Sequence, residues 1–256
     1  MSPTVCYEQP LNERVRALLR VEFLFQHIDR SLAETSAWGS RAVLQGLFDL
    51  LSLTARNELK GDLLKELERQ LALLNRLRTH PDVHFLALDQ ALKEIGAAIQ
   101  QIHRLDGAAA DAVRQTDFLN AVYKRSQAPG GACQFDVPAL HHWLHQEPRL
   151  RVDHLREWLA PFIPLRDAAA VLLRLIRDSA VPQPEIACRG FFQRGLARDP
   201  PYQLIRVLLA RGSAVFPEIS GGRQRFSIHF LEQSDPNRRA VQSVDDIAFD
   251  LACCGI

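Results

Sequence analysis

The sequence predicts an α+β protein, in which an N-terminal α-helical bundle domain is followed by a small antiparallel β-strand domain. The first observation is a run of leucines within residues 58–79, spaced three, four and three apart, which is typical of a helix that packs on another helix. These leucines are Leu64, Leu67, Leu71 and Leu74. The second observation is that apolar residues alternate with period two after Pro184, as in strands with one buried face.

The N-terminal part of the chain is predicted to be helical because its apolar residues recur every three or four positions. The predicted helices cover residues 10–32, 40–56, 58–79, 84–105, 109–126, 151–160 and 162–179. Pro10 is expected to begin the first of them, and Pro81 prevents the helix that precedes it from continuing.

The C-terminal part is predicted to form one small antiparallel sheet. Its apolar runs are residues 186–192, 204–209, 226–230 and 244–251, and turn-forming Gly, Pro, Asp and Asn residues separate them. The segment Ala180–Pro184 contains two prolines and is typical of a domain boundary. We therefore expect an α-helical domain over residues 10–180 and a β-strand domain over residues 181–256. Residues 3–9 also alternate, and they are candidates for an additional strand of that sheet.

The most distinctive stretch of the sequence is residues 129–146, PGGACQFDVPALHHWLHQ. Its Pro-Gly-Gly start predicts a turn, and Asp136 is placed to cap a helix that has Pro138 in its first turn. That helix would carry Trp143 as an apolar anchor together with three histidines, His141, His142 and His145. A rigid turn, a cap, an aromatic anchor and several polar groups in so short a stretch indicate a junction between two domains or a binding surface.

Composition excludes several classes of protein. The 256 residues have a formal net charge of +1, so no global field favours nucleic acid or a membrane surface. No apolar run is long enough to cross a membrane, and the N-terminus lacks the apolar core of a signal peptide. We therefore expect a cytoplasmic protein, in which the five cysteines are reduced thiols.

No catalytic motif is present in the sequence. His141 and His145 are four residues apart and could face one ion, but a zinc site needs further ligands. The sequence has no HExxH pair, no Cys-x-x-Cys pair, no P-loop and no Gly-x-Ser-x-Gly. Cys133 has no local partner and is interpreted as a small buried residue. We expect no catalytic residues, no metal and no cofactor, and a function other than that of an enzyme.

Charge is unevenly distributed in the predicted sheet domain. Residues 186–229 contain seven arginines, no lysine and two acidic residues, for a net charge of +5, whereas residues 230–256 carry −3. Arginine binds carboxylates through two parallel hydrogen bonds, so this segment favours an acidic ligand. In the first helix Arg16 and Arg20 are neighbours on one face. The alternative is that they pair with Glu13 and Glu22 on a solvated face.

Five stretches of the sequence resemble the ZapD family, the Z-ring-associated proteins of bacterial cell division. They are YEQPLNERVRALLRVEFL, LLKELERQ, PGGACQFDVPALHHWLH, FPEISGGRQRFSIHFL and the terminal FDLACC, and they occur in order along nearly the whole chain. The resemblance implies a non-enzymatic cytoplasmic protein at the midcell division ring, with an α-helical and a β-strand domain. It further implies a homodimer that binds the flexible C-terminal tail of FtsZ and cross-links FtsZ protofilaments into bundles.

By motif position, the resemblance also implies a basic surface that binds the FtsZ tail, near the junction of the two domains. Its predicted residues are Arg16, Arg20, Arg114, His141, His145, Arg223 and Arg225. The dimer interface is not fixed by the sequence, because Leu64–Leu74 suit either an interface or a core.

Two other functions follow from the residues alone. The arginine-rich segment contains phenylalanines that could stack on bases, which would suit a nucleic-acid-binding protein. The same phenylalanines suit a sheet core, and the near-neutral net charge disfavours nucleic acid. A metal-dependent hydrolase that uses His141 and His145 is the other alternative.

Overall fold

A computed structural model describes residues 4–54, 58–78, 84–105, 107–196, 202–222 and 225–255, with the backbone alone described at residues 58 and 107–109. The chain divides into two compact units. The helical unit is Ala17–Leu172, and the sheet unit combines Met1–Arg16 with Leu173–Ile256. An N-terminal helical region followed by antiparallel strands confirms the predicted α+β fold class.

Helices form most of the N-terminal part of the chain, and the first and the last of them each contribute residues to both units. The helices are α1 Glu13–Ala33, α2 Ala37–Thr54, α3 Glu58–Leu77, α4 Phe85–Arg104, α5 Gly107–Gln115, α6 Asp117–Ser126, α7 Pro138–Leu144, α8 Pro148–Leu159 and α9 Ile163–Asp178. A 3₁₀ turn at Ala160–Phe162 separates α8 from α9. None of the described helices is both long and apolar enough to span a bilayer.

The first helix begins later than the sequence predicts. Pro10 is the last residue of a strand, and Asn12 caps α1 by accepting a 2.9 Å hydrogen bond from the backbone N–H of Val15 to its Oδ1. An asparagine oxygen satisfies a helix N–H that otherwise lacks a partner, so this cap fixes the start of the helix.

The predicted helix over residues 109–126 is two helices. Thr116 lies between α5 and α6 with an extended backbone, at φ −60° and ψ 116°. Its N–H bonds the carbonyl of Val113 at 3.3 Å, which closes the last turn of α5, and its own carbonyl accepts from Asn120 at 2.9 Å in the first turn of α6. Thr116 is therefore the cap of α6, a position that periodicity alone does not mark.

The leucine-rich helix α3 packs along α4. Leu63 and Leu67 lie in the core, whereas the intervening Leu64 and the later Leu71 and Leu74 are half-buried. Part of this leucine stripe therefore contributes to the core, and the remaining leucines are half-buried at the surface of α3.

The described residues of the sheet unit form two four-stranded antiparallel sheets rather than the single small sheet predicted. The strands are β1 Thr4–Pro10, β2 Gln183–Ala187, β3 Phe191–Gly195, β4 Leu204–Ala210, β5 Val215–Gly221, β6 Arg225–Glu232, β7 Val241–Gln242 and β8 Ile247–Cys254. The first sheet has the order β1-β4-β8-β2; the second has β3-β6-β5, with β7 also pairing with β6. One apolar core joins buried residues of both sheets, among them Val207, Phe226, Phe230 and Phe249.

Strand β5 has no counterpart among the predicted strands. It contains Pro217, which lacks an N–H and so cannot donate a hydrogen bond to a neighbouring strand. The strand order places β5 at the edge of its sheet, where a proline is tolerated. The last predicted run also begins later than expected, because Val244 is 75 % exposed and precedes β8.

An ion-pair cluster in the sheet unit joins β1, β4 and α9. The carboxylate of Glu8 accepts hydrogen bonds from Nε and Nη2 of Arg177, at 2.9 and 2.7 Å, and from Nε of Arg206 at 3.0 Å. Glu8 and Arg206 are register partners on adjacent strands, so the strand pairing itself brings their side chains together.

Candidate functional site

Residues 129–146, the most distinctive stretch of the sequence, form a turn that leads into α7. Gly130 has φ +70°, a conformation that favours glycine. At Gly131 a Cβ would lie 2.1 Å from the carbonyl oxygen of Arg125, so the chain passes too close to α6 for any side chain. Both glycines are required by the backbone, as the predicted turn implies.

Helix α7 begins at Pro138, but its cap differs from the prediction. Val137 is the N-cap residue, without a side-chain hydrogen bond. Asp136 instead accepts a hydrogen bond from the Sγ–H of Cys133, at 3.0 Å. Asp136 therefore closes the turn before the helix, because the helix starts one residue later than a cap at Asp136 requires.

Trp143 anchors α7 in the helical unit. Its indole is 6 % exposed, lies 5.6 Å from the ring of Phe118 and 5.8 Å from that of Trp158, and donates from Nε1 to Nδ1 of His154 at 3.2 Å. A buried aromatic ring with its polar atom satisfied holds a short helix firmly, which a seven-residue helix cannot achieve through its own hydrogen bonds.

The opposite face of α7 presents two histidines. The rings of His141 and His145 lie with centroids 4.4 Å apart, both are exposed, and Nδ1 of His145 lies 2.7 Å from the carbonyl oxygen of His141. Within the part of the chain that the structure describes, no group of three or more His, Cys, Asp or Glu side chains is placed to hold a metal ion.

A groove of about 600 Å³ runs beside His141; we call it the α7 groove. Its lining includes Trp38, Arg41, Gln45, Gly130, Gly131, Ala132, Cys133, Gln134 and His141. Trp38 is 79 % exposed, and the guanidinium of Arg41 lies 5.6 Å from its ring centre while Nη1 donates to the carbonyl of Ala132 at 3.0 Å. A tryptophan this exposed beside an arginine is typical of an interaction surface.

Sequence reasoning did not identify Trp38 or Arg41. The available signal was the cap of α2, where Ser36 Oγ accepts from the N–H of Gly39 at 2.8 Å. A cap at Ser36 places Trp38 in the first helical turn, but the sequence does not show that the turn of residues 129–134 lies beside it.

Arg151 is a buried residue that supports the C-terminal end of α7, and sequence reasoning did not identify it either. It is 5 % exposed and donates to four oxygens: the carbonyl of Thr35 at 2.7 Å, Oγ of Ser40 at 3.2 Å, the carbonyl of Leu144 at 3.1 Å and the carbonyl of Gln146. Two of these acceptors lie at the C-terminal end of α7. Arg151 therefore fixes the end of the helix that carries His141 and His145.

Arg114 lies in a different part of the helical unit. Its Nη2 donates to the carbonyl of Leu51 at 2.6 Å, and its Nη1 lies 3.5 Å from Oδ1 of Asp111. Arg114 borders two cavities between helices rather than the α7 groove.

The remaining predicted residues are divided between the units. Arg16 forms a 3.1 Å ion pair with Glu13, as the solvated-face alternative expects, whereas Arg20, one turn later on α1, is exposed. Arg225 is exposed at the start of β6, and Arg223 lies outside the described residues. Of the described candidates, the contact that the structure shows is the one between His141 and His145.

Part of the positive charge of the sheet unit is neutralised within it. Arg194 pairs with Glu185 at 2.5 Å, and Arg206 pairs with Glu8. The bond to Glu185 raises the pKa of Arg194 above its ordinary value. Neither acid belongs to residues 230–256, the segment with a net charge of −3. Arg211 and Arg225 are exposed and remain available.

Comparison with known proteins identifies the family. Residues 19–229 match the family model described as ZapD, cell division protein. The chain is 38 % identical to the cell division protein ZapD of Dechloromonas aromatica over 98 % of this chain and 100 % of that protein. It is 36 % identical to that of Nitrosomonas europaea, covering 98 % and 95 %, and 37 % identical to that of Methylococcus capsulatus, covering 99 % of both. These names describe a cell division protein and not an enzyme, in agreement with the resemblance found from the sequence. The chain belongs to the ZapD family of cell division proteins.

Proposed function

We propose that this protein binds the C-terminal tail of FtsZ without enzymatic activity and, as a homodimer, cross-links FtsZ protofilaments at the midcell ring. The observation that carries the proposal is the α7 groove, where exposed Trp38 lies beside Arg41 and His141 in a protein of the ZapD family. Aromatic and basic side chains on one surface suit a peptide that has both apolar and acidic residues.

Exposed basic side chains on each unit provide the electrostatic part of the proposal. Arg20, His141 and His145 belong to the helical unit, and Arg225 belongs to the sheet unit. Exposed charges contribute little when each acts alone, but several of one sign attract an acidic peptide and accelerate its association. Binding through such charges weakens as salt concentration rises.

Dimerisation provides the cross-linking part. A dimer that holds two tails gains from effective concentration, and a filament presents many tails, so weak single contacts can gather neighbouring filaments. Where α3 ends and α4 begins, the apolar side chains of Leu77, Phe85 and Leu86 are 42 %, 62 % and 80 % exposed. Together with the half-buried leucines of α3, they offer an apolar surface for a second copy of the chain.

The test is co-sedimentation with FtsZ polymerised by GTP, beside FtsZ that lacks its C-terminal tail. We expect the protein to pellet with intact filaments and increase their bundling, and to stay in solution with the truncated ones. Arg20→Ala should reduce the pelleted fraction severalfold and leave the circular dichroism spectrum unchanged, because Arg20 is exposed.

Arg30→Ala is the matched control, because Arg30 is also an exposed arginine of α1. It should pellet like the wild type. If the wild type stays in the supernatant with both forms of FtsZ at low salt, the proposal is wrong. If pelleting is the same at low and high salt, its electrostatic part is wrong.

A further inference from the structure

Two histidines at the C-terminal end of α7 are close enough to share one metal ion. His141 lies in the last turn of α7, and His145 is its C-cap residue, so they are one helical turn apart. Both side chains are exposed, and their ring centres are 4.4 Å apart with the ring planes inclined at 53°. An ion can therefore reach both rings from solvent.

The separation of the two rings is the one that a shared ion requires. A zinc–nitrogen bond to histidine is about 2.0–2.1 Å long, which places the ion roughly 3.2 Å from the centre of each ring. Ring centres 4.4 Å apart then subtend about 90° at the ion. This is the angle between neighbouring ligands in the tetragonal geometry of Cu²⁺ and Ni²⁺. Tetrahedral Zn²⁺ needs ring centres about 5.2 Å apart, which small rotations of two exposed side chains provide.

Hydrogen bonding determines which nitrogen of His145 binds the ion. Nδ1 of His145 lies 2.7 Å from the carbonyl oxygen of His141. A carbonyl oxygen only accepts hydrogen bonds, so Nδ1 carries the proton, and the neutral ring keeps its lone pair on Nε2. Histidine ligands of metals usually donate from their other ring nitrogen in this way, because that bond fixes the tautomer and orients the ring. Within the described residues the ring of His141 has no hydrogen-bond partner, so its nitrogens are available.

The neighbours of the two histidines decide which class of ion fits. No third His, Cys, Asp or Glu side chain joins them within the part of the chain that the structure describes. Ions that prefer carboxylate ligands, such as Mg²⁺ and Ca²⁺, are therefore disfavoured, whereas imidazole suits Zn²⁺, Ni²⁺ and Cu²⁺. With two protein ligands, water fills the remaining positions, so the ion is exchangeable and is not a structural one.

We propose that His141 and His145 form a site for one divalent ion of the imidazole-preferring class, bound through Nε2 of His145 and one ring nitrogen of His141. The water-filled positions are open to an external ligand. Because His141 also lines the α7 groove, an ion held there adds positive charge to the rim of that groove. The ion has no catalytic role here, and its binding does not depend on the proposed function.

The experiment titrates Ni²⁺ into the full chain, without an affinity tag and with a non-chelating reductant, by isothermal titration calorimetry. We expect one ion to bind at this site with a dissociation constant on the order of 10 µM. His141→Ala and His145→Ala should each weaken this binding by about tenfold or more, because a single imidazole cannot chelate. His142→Ala is the matched control, since His142 is another exposed histidine of α7, and it should bind Ni²⁺ like the wild type.

A second measurement on the wild type identifies the coordinating atoms. Zn²⁺ is diamagnetic, and long-range ¹H–¹⁵N NMR spectra distinguish a protonated ring nitrogen from a coordinated one. We expect Zn²⁺ to shift the Nε2 signal of His145 while its Nδ1 keeps the signal of a protonated nitrogen. If the ring signals of both histidines are unchanged by Zn²⁺, or if both alanine variants bind Ni²⁺ within twofold of the wild type, the site is overturned. FtsZ is absent from both measurements, so the proposed function stands or falls separately.

Discussion

Two charged clusters, one in each unit, satisfy their charges in different ways. In the helical unit Arg151 is 5 % exposed and is bound by four neutral oxygens, with no carboxylate contact within the described residues. In the sheet unit Glu8 is 17 % exposed and is bound by two arginines. The first arrangement depends on hydrogen-bond geometry, and the second depends on opposite charge.

This difference shows what each cluster requires of the fold. The oxygens around Arg151 come from the α1–α2 connection, α2 and the end of α7, so the charge is satisfied only when these segments are already packed. Glu8 meets Arg206 through the register of β1 and β4, and Arg177 is added from α9. We therefore expect loss of the Arg151 cluster to be the more destabilising, because it removes four hydrogen bonds at once, of which those to Ser40 and Leu144 are buried.

Arg151→Met should give the largest loss of stability. A smaller loss than that of Glu8→Gln would contradict the comparison between the two clusters. Removal of the guanidinium leaves the carbonyls of Thr35, Leu144 and Gln146 unsatisfied, and we expect the free energy of unfolding to fall by about 3–4 kcal/mol. Urea denaturation followed by circular dichroism measures this. Arg149→Met removes an exposed arginine of the same helix and should change stability by less than about 0.5 kcal/mol. Equal effects of the two variants would contradict a structural role for Arg151.

Glu8→Gln should have a smaller effect of the same sign. It leaves Arg177 and Arg206, which are 23 % and 21 % exposed, without their carboxylate. Water reaches both arginines in part, so we expect a loss of about 1–2 kcal/mol rather than the full cost of an unpaired buried charge. Glu218→Gln, at an exposed position of β5, is the control and should leave the urea midpoint unchanged. A Glu8→Gln variant as stable as the wild type would show that the cluster contributes no net stability.

Local signals explain how much of the fold the sequence predicts. Of the predicted leucine stripe, Leu67 lies in the core, because the periodicity of α3 is a property of a few adjacent turns, whereas the neighbouring core residue Leu63 was not part of the predicted stripe. The turn at Gly130 was predictable for the same reason. The breaks that were missed depend on single residues within otherwise periodic stretches: the capping side chain of Asn12 and the extended backbone of Thr116.

Contacts between distant segments explain what the sequence does not predict. The α7 groove forms because Trp38 and Arg41 of α2 meet a turn about ninety residues later, through the bond of Arg41 to Ala132. The division of the strands into two sheets likewise depends on pairing partners that alternation cannot specify. Of the predicted site, the sequence supplied residue types and exposed positions such as His141 and His145, whereas the neighbours that shape the cavities came from the structure.

Ionisation of the Cys254 thiol gives the smallest expected effect on stability. It tests how well water is excluded from the surroundings of the Glu8 cluster. Its Sγ lies 3.8 Å from the carbonyl of Arg177, and burial raises the pKa of its thiol to about 11, although the charge of Arg206 acts in the opposite direction. A thiol pKa raised above the unfolded value of 9.0 stabilises the fold at low pH, and this contribution is lost as pH rises from 9 through 11.

The wild type should therefore lose about 1.4 kcal/mol of stability between pH 7 and pH 10 relative to Cys254→Val, which has no thiol to ionise. Urea unfolding of both proteins at the two pH values, with a reductant present, measures this difference. Any cost of replacing the side chain itself is the same at both pH values and cancels, as do the other titrating groups. If the difference between the two proteins were unchanged by pH, the arginines would be offsetting the burial of Cys254. Opposite charge would then outweigh burial in the surroundings of the Glu8 cluster, although Cys254 is fully buried, and the contrast with Arg151 would widen further.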